Sequence, residues 1–553
     1  MVTGMCELGS LSLMNPRAIN PPLNECIADL RREPCGPVRD AGRARRDPFG
    51  MHESFAAPER ESTQGIHHIN VRQLCESTKM SVLAIDQGTS ATKAIVVDDA
   101  GTVLALAEET VRPQYLPGVA VEQSPAELLE SVLTAGRRAI AEAGVPIEVI
   151  SLANQGETVL AWDPATGEPL TSALVWQDSR AQTVCDQLRE RGGEIAQRTG
   201  LVLDPYFSAP KMTWIRENLT RAGVVTTSDT WLLHQLTGEF VTDVSTASRS
   251  LIMDLDARTW DNELLGYFGL EGEAMPRIAA CDELIGSTSA FGGAIPVGGV
   301  IVDQQAALLA EGCLGVGEAK CTYGTGAFLL MNTGTAAPRS TNGLTTSVAW
   351  TIRGESKYCI DGQVFTAASA IRWLQELGLI SDAREIDTAA APDSGGVFFV
   401  PALAGLAAPW WRADAKAAFS GMSLATNRGQ LIRAVLEGIA AQIADLAAAC
   451  AADLGDSLRS LRVDGGLTRS SVLMQAQADL LQLPVEVYPS AHATALGAAA
   501  LGRLAVRPRE STPIVEWTPE HVYTPRWSAD HASDFMGNWR AAVERTLPPE
   551  GER

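Results

Sequence analysis

The chain is poor in the residues that build metal and redox centres. Of its seven histidines, only His234, His492, His521 and His531 follow residue 80, and they are widely dispersed. Its ten cysteines contain no Cys-x-x-Cys pair and no Cys/His cluster at zinc spacing, so a zinc module is excluded. Scattered cysteines fit reduced thiols in a cytosolic enzyme. No apolar run approaches the roughly 20 residues of a membrane span, so a soluble, cytoplasmic protein is expected. An excess of positive charge is also missing. The formal net charge of −22 argues against general affinity for nucleic acid or anionic lipid. There is no Gly-x4-Gly-Lys-Ser/Thr run and no Gly-x-Gly-x-x-Gly opening a helix after a strand. A nucleotide site here is therefore neither P-loop nor Rossmann in type.

What is present is ample core material. With 553 residues and 46% hydrophobic content, the chain should divide into at least two domains. Residues 1–79 stand apart: they hold ten Lys+Arg and ten Asp+Glu, so the whole negative balance belongs to residues 80–553. Rich in Pro and Arg with little periodic hydrophobicity, this segment is expected to be disordered. It lacks the apolar core of a secretory signal, and its acids do not suit a transit peptide. Met80 directly precedes the first core strand, and translation is expected to start there. From Met80 the pattern is mixed α/β. Strand-like runs at 82–85, 94–98 and 103–107 form an antiparallel meander with a turn at Asp99-Ala100-Gly101. Ser124 and Pro125 open a helix over 126–143, and 147–153 and 159–162 return to strand. Far downstream, 461–463 and 485–487 read as strands, with a helix to about residue 481 between them and an Ala-rich helix over 493–505. The repeated order points to a duplicated fold.

The most informative segment is VLAIDQGTSATKAIVVDD at 82–99. It reads as strand, Asp-Gln-Gly-Thr turn, strand. The turn offers Asp86, a glycine backbone and three hydroxyls (Thr89, Ser90, Thr92) closed by Lys93, which suits a magnesium-bound polyphosphate. AKCTYGTGAFLLM at 319–331 repeats the plan around Gly324-Thr325-Gly326. One Gly-Thr turn usually only reverses a chain; two place a nucleotide between related lobes. Asp303 closes the apolar strand 299–302 ahead of a helix-like run. Such an acid is either a helix cap or a general base aimed into a cleft at the strand's carboxyl end. Asp464-Gly465-Gly466 lets a glycine backbone approach an adenine or α-phosphate, or is an ordinary strand-to-helix turn. The clusters 154–158 (NQGET) and 176–180 (WQDSR) are loops or the wall of a pocket for a hydroxylated ligand.

Together these motifs resemble the FGGY carbohydrate kinases, and among them the glycerol-phosphorylating members most closely. The likeness is collinear from about Met80 to Ala505 and includes AIDQGTSATKAIV, DPYFSAPK, ASRSLIMD, VDQQAALLAEG, TYGTGAF and VDGGLTRSSVLMQAQADLL. It implies an α/β protein of two duplicated actin/RNase H-like domains that close on ATP, Mg²⁺ and a small polyol. The expected division is 80–315 and 316–510, with a tail at 511–553. The resemblance places Asp86 at the metal, and Thr89, Ser90, Lys93, Thr325, Gly326 and Gly466 at the nucleotide. Ala368, Arg372 and Ser470 hold family nucleotide positions with changed side chains. Asp303 matches the general base, and Gly156, Glu157, Tyr206, Gln304 and Phe328 match the polyol pocket. A homodimer or homotetramer is expected.

One departure bears on substrate. The related enzymes read Asn-Gln-Arg-Glu-Thr, and here the Arg position is Gly156. Losing a charged donor to a hydroxyl costs roughly 1.5–3 kcal/mol and is expected to open space the size of a long side chain. Either a cation from elsewhere fills that space or the substrate is longer than glycerol, a four- or five-carbon polyol or ketose. An actin-like ATPase and a sugar sensor that no longer transfers phosphate are the rivals from other classes.

Overall fold

The computed structural model describes residues 81–455, 458–510 and 516–547. The expected disorder of 1–79 and the start at Met80 lie outside the described residues.

The first lobe is built on β1 (Val82–Gln87), β2 (Ala91–Val97), β3 (Val103–Thr110), β4 (Val149–Asn154) and β5 (Ile295–Val302). They lie in the order β3-β2-β1-β4-β5, with an antiparallel strand at 284–288 added beyond β5. β1, β2 and β3 form the expected meander, whereas β4 runs parallel to β1 and β5 parallel to β4. β1 is central because it can be: VLAI is buried on both faces and needs apolar cover above and below. Helix α1 (Pro125–Ala143) covers one face. Ser124 caps it through Glu127 N, Pro125 opens it and Gly144 ends it at φ +62°.

The second lobe repeats the plan. Its strands β6 (Ala319–Tyr323), β7 (Ala327–Gly334), β8 (Glu355–Val364), β9 (Leu461–Asp464) and β10 (Val485–Val487) lie in the order β8-β7-β6-β9-β10. Pairings match strand for strand: β6–β7 and β7–β8 antiparallel, β6–β9 and β9–β10 parallel. The long helix Arg428–Leu454 is apolar and long enough by composition to cross a bilayer, yet 83% of its most apolar window is buried inside this lobe. It is the core helix of the second sheet. Residues of the expected tail join the same lobe: 522–523 extend its sheet, and helix Ala529–Glu544 packs on it.

Two elements tie the lobes together. Helix Ala493–Val506, although late in the chain, lies on the first sheet, against β1, β4 and β5. Glycine makes that approach possible: a methyl group added at Gly299 would come 2.2 Å from the Gly502 nitrogen. On another side, the hairpin of strand Thr345–Ile352 and β8 packs against residues 198–282, with Thr346 N donating to Gly200 O at 2.8 Å and Cys281 N to Thr351 O at 2.9 Å. Six described cysteines are free and buried.

Candidate active site

Both lobes present a tight hairpin turn at the carboxyl end of their first strand, where ligands of such sheets collect. The first turn, 88–90, is closed by Gly88 N donating to Ala91 O at 3.1 Å. Side chains tether it. Trp176 Nε1 donates to Thr89 Oγ1 at 2.9 Å, and Gln123 Nε2 to Thr89 O at 2.7 Å. The second turn, 324–326, is tethered mainly by backbone, with Ser369 Oγ also donating to Thr325 O at 3.1 Å, whereas the first has one backbone tether, Val111 N to Ser90 O at 3.0 Å. Ala367 N donates to Thr325 O at 3.0 Å and Ala368 N to Gly324 O at 3.1 Å. A methyl at Gly326 would come 2.4 Å from Val364 O, so this turn tolerates only glycine there.

Between the turns lies a cavity of about 190 Å³ lined by Thr89, Ser90, Gly156, Glu157, Tyr206, Asp303, Gln304, Thr325, Gly326 and Phe328, with Tyr115, Gln155, Trp176 and Gln177. Asp303, the five residues that the resemblance assigns to the polyol pocket, and four of those assigned to nucleotide therefore share one space. Asp303 is the first residue of the helix Asp303–Ala310, with Val302 as its cap residue and no side-chain capping bond. Of the two readings of Asp303, the cleft-facing one fits. Burial first, then Asp86 and Glu157, push its carboxyl up to about 7 against the pull of Lys320. Burial likewise raises Asp86 to about 6, opposed by Lys93 and reinforced by Asp464 and Glu108.

The loop bearing Tyr206 is fixed by a buried lysine. Lys211 Nζ donates to the carbonyls of Pro205, Tyr206 and Phe207 at 2.8, 2.5 and 2.7 Å. Burial lowers its pKa to about 8. Trp176 stands edge-on to Tyr206 and Phe328, with ring centres 5.7 and 5.9 Å away, and completes an aromatic wall. Glu157 adopts φ +59°, an uncommon left-handed conformation for a side-chain-bearing residue that aims its carboxylate into the cavity edge.

Several expectations need correction. Thr92 is not part of the phosphate turn: it is buried and its hydroxyl lies 2.7 Å from Ser131 Oγ on the α1 side. Ser90 belongs to the turn, whereas Thr92 is already within β2, on the face that packs against α1. Gly156 does not open a long gap. A methyl there would come 2.9 Å from Val302 Cγ2 and 3.9 Å from Arg249 Cδ, so neighbours already fill that direction. Ser470 caps the helix Ser471–Leu481 through Leu473 N and donates to Asp387, which commits its hydroxyl. Ala368 contributes backbone to the second turn, and Arg372 is an exposed residue of the same helix, outside the cavity. Gly466 begins a short 3-10 turn with open space beside it, whereas Gly465 packs on Tyr323 O.

The structure also brings in residues with no assigned role. Arg249, within the ASRS motif, donates to Glu157. Its Nη1 lies 3.2 Å from Asp361 Oδ1. Lys320, fully buried in an apolar strand, donates to Gln304 Oε1 and Thr322 Oγ1 at 2.7 Å each. A lysine inside a core strand was the available signal.

The donor set fits a metal-bound polyphosphate. Two glycine turns face one cavity, Asp86 lies half-buried behind the first, and Asp464 Oδ1 is buried without a partner. No group of three His, Cys, Asp or Glu gathers among the described residues, so a magnesium ion here would take most of its ligands from phosphate and water.

Comparison with known proteins agrees. The N-terminal domain of the FGGY family of carbohydrate kinases matches residues 81–310, and its C-terminal domain matches 319–506. Glycerol kinase from Thermus brockianus is 42% identical over 84% of this chain and 98% of its own length. The crystal structure of Plasmodium falciparum glycerol kinase with ADP superimposes with a TM-score of 0.78 at 32% identity, covering 85% of this chain and 99% of that one. A xylulose kinase from Brucella ovis gives 0.76 at 25% identity, over 84% and 99%. Twin sheets of equal strand order, paired glycine turns and a carboxylate between them thus coincide with sequence likeness along most of the chain: it belongs to the FGGY family of carbohydrate kinases, and it is an ATP-dependent phosphotransferase.

Proposed function

We propose that this enzyme phosphorylates a terminal hydroxyl of glycerol, giving sn-glycerol 3-phosphate. The observation that carries the reading is the single cavity in which Asp303 meets Glu157, Tyr206 and Gln304 beside both glycine turns. A metal-bound ATP supplies an electrophilic phosphorus whose charge the cation offsets. Asp303 takes the proton of the attacking hydroxyl, and a carboxylate held near neutrality by burial is matched to that task. Glu157 accepts from the remaining hydroxyls and Tyr206 fixes their direction. Trp176 and Phe328 cover the carbon chain and keep water from the reacting atoms. Backbone N–H groups of 88–90 and 324–326, with Thr89, Ser90 and Thr325, hold phosphate oxygens, and Lys93, Gly466 and the backbone near Ala368 bound the nucleotide side. Asp86 is the residue that would hold a magnesium ion, whose charge would offset that of the phosphate oxygens.

The Val302 and Arg249 side chains that stand where a Cβ of residue 156 would point favour glycerol over a four- or five-carbon acceptor. The proposal extends to a cytoplasmic enzyme working on free polyol without nucleic acid or membrane, as a homodimer or homotetramer. The test is ADP release measured across glycerol, erythritol, xylitol and xylulose. Glycerol should give the highest kcat/KM; a higher value for any five-carbon acceptor sinks the glycerol assignment.

A further inference from the structure

We infer that Arg249 and Asp361 are positioning residues that couple the acceptor pocket to the second glycine turn; this rests on the acceptor role proposed for Glu157. Arg249 bridges the lobes. Its Nε donates to Glu157 of the first lobe, and its Nη1 lies 3.2 and 3.3 Å from the two oxygens of Asp361 on β8 of the second. Gln363 Nε2 fixes the other side of Asp361 at 2.5 Å. All three charged groups are buried: Arg249 is 4% exposed, Glu157 3% and Asp361 2%. Arg249 also sits 5.7 Å from the ring centres of Tyr206 and Phe207, so the aromatic wall leans on the same guanidinium.

From Asp361 the path is short. β8 ends three residues later at Val364, whose carbonyl Gly326 abuts, and the following residues 367 and 368 bond Thr325 and Gly324. A displacement of the nucleotide turn therefore reaches Glu157 through one strand and one guanidinium. Arg249 does not itself face the acceptor cavity. It lines instead a void of about 20 Å³, room for about one water, that shares Glu157, Tyr206, Asp303, Gln304 and Phe328 with that cavity. It acts through Glu157. Lysine cannot replace it, because a point charge lacks the planar fork that spans two carboxylates. Proximity alone does not establish coupling, so the test must measure it.

Amide hydrogen exchange at residues 156–159, with and without ADP–Mg²⁺, reads the coupling in the absence of any acceptor. Wild type should show ADP-dependent slowing there. In Asp361→Asn and Arg249→Lys that slowing should shrink at least about fivefold, the lower end of ordinary coupling. The KM for glycerol should rise roughly 10- to 100-fold, as for a lost charged hydrogen bond. ADP affinity without acceptor should stay within about threefold, whereas a merely structural defect would weaken it along with thermal stability. Slowing as large in either variant as in wild type, or an unchanged KM for glycerol, overturns the inference. If both variants fail to fold, wild type decides: no ADP-dependent slowing at 156–159 overturns it. Wild type that slows but phosphorylates no polyol leaves the coupling standing and removes the functional reading instead.

Discussion

The two hairpin turns are alike in plan and unlike in support. Each joins the first two strands of a sheet with the same strand order, and each faces the same cavity. The first adds side chains, Trp176 and Gln123 on Thr89, to one main-chain tether from Val111 N to Ser90 O, and carries a half-buried acid, Asp86, behind it. The second is held mainly by main-chain N–H groups of 367–369, with the Ser369 hydroxyl added on Thr325 O, and carries no acid in its turn. A duplicated unit has thus specialised: one copy brings ionisable chemistry and connects to the acceptor pocket, and the other supplies a rigid backbone cradle.

The largest expected effect falls on the chemical side of that division. Asp303→Asn should cost roughly 10²–10⁴ in turnover, with ADP affinity by calorimetry nearly unchanged. Near-wild-type turnover would remove the carboxylate from its role. The same residue sets the pH response. Its carboxyl is raised to about 7 in the folded enzyme, so the base form is scarce below neutrality. kcat/KM should rise about tenfold per pH unit up to that region and level off above it. A profile flat from pH 5.5 to 8 would contradict the assignment.

Next comes the cradle. Gly326→Ala forces a methyl to 2.4 Å from a backbone oxygen, while Gly88→Ala brings one to 3.2 Å from Ala91 O. The first should cost about 1–3 kcal/mol of stability and raise the KM for ATP more than the second does. Equal effects would erase the contrast between the turns. Gly156→Arg should raise the KM for glycerol severalfold, because its first carbon meets Val302 at 2.9 Å; improved glycerol use would mean that the gap is open after all. The smallest effect belongs to Thr92→Val. It loses a buried hydroxyl contact worth about 1 kcal/mol, seen as a modest drop in melting temperature, with no change in the KM for ATP.

Much of the fold was legible locally. Ser124-Pro125 marked the start of its helix, and the apolar runs marked the meander, because caps, turns and buried strands are written within a few residues. β4 began two residues later than expected, at Val149 rather than Ile147, since strand ends depend on pairing partners. The site was legible where a motif carried its own geometry, as at Gly324-Thr325-Gly326. Arg249 and Lys320 stood in recognisable motifs without a role, because their partners lie in other elements of the fold: Asp361 and Gln304.

By itself the sequence determined the strand-turn-strand units, the twin repeat and the net negative charge around any phosphate site. These depend on composition and on neighbours within a turn or two. Tertiary structure alone decided that Thr92 faces away, that Gly156 is walled by Val302 and Arg249, and that helix Ala493–Val506 covers the first sheet. Which atoms occupy a direction in space is set by chain segments brought together on folding, and no local pattern records them.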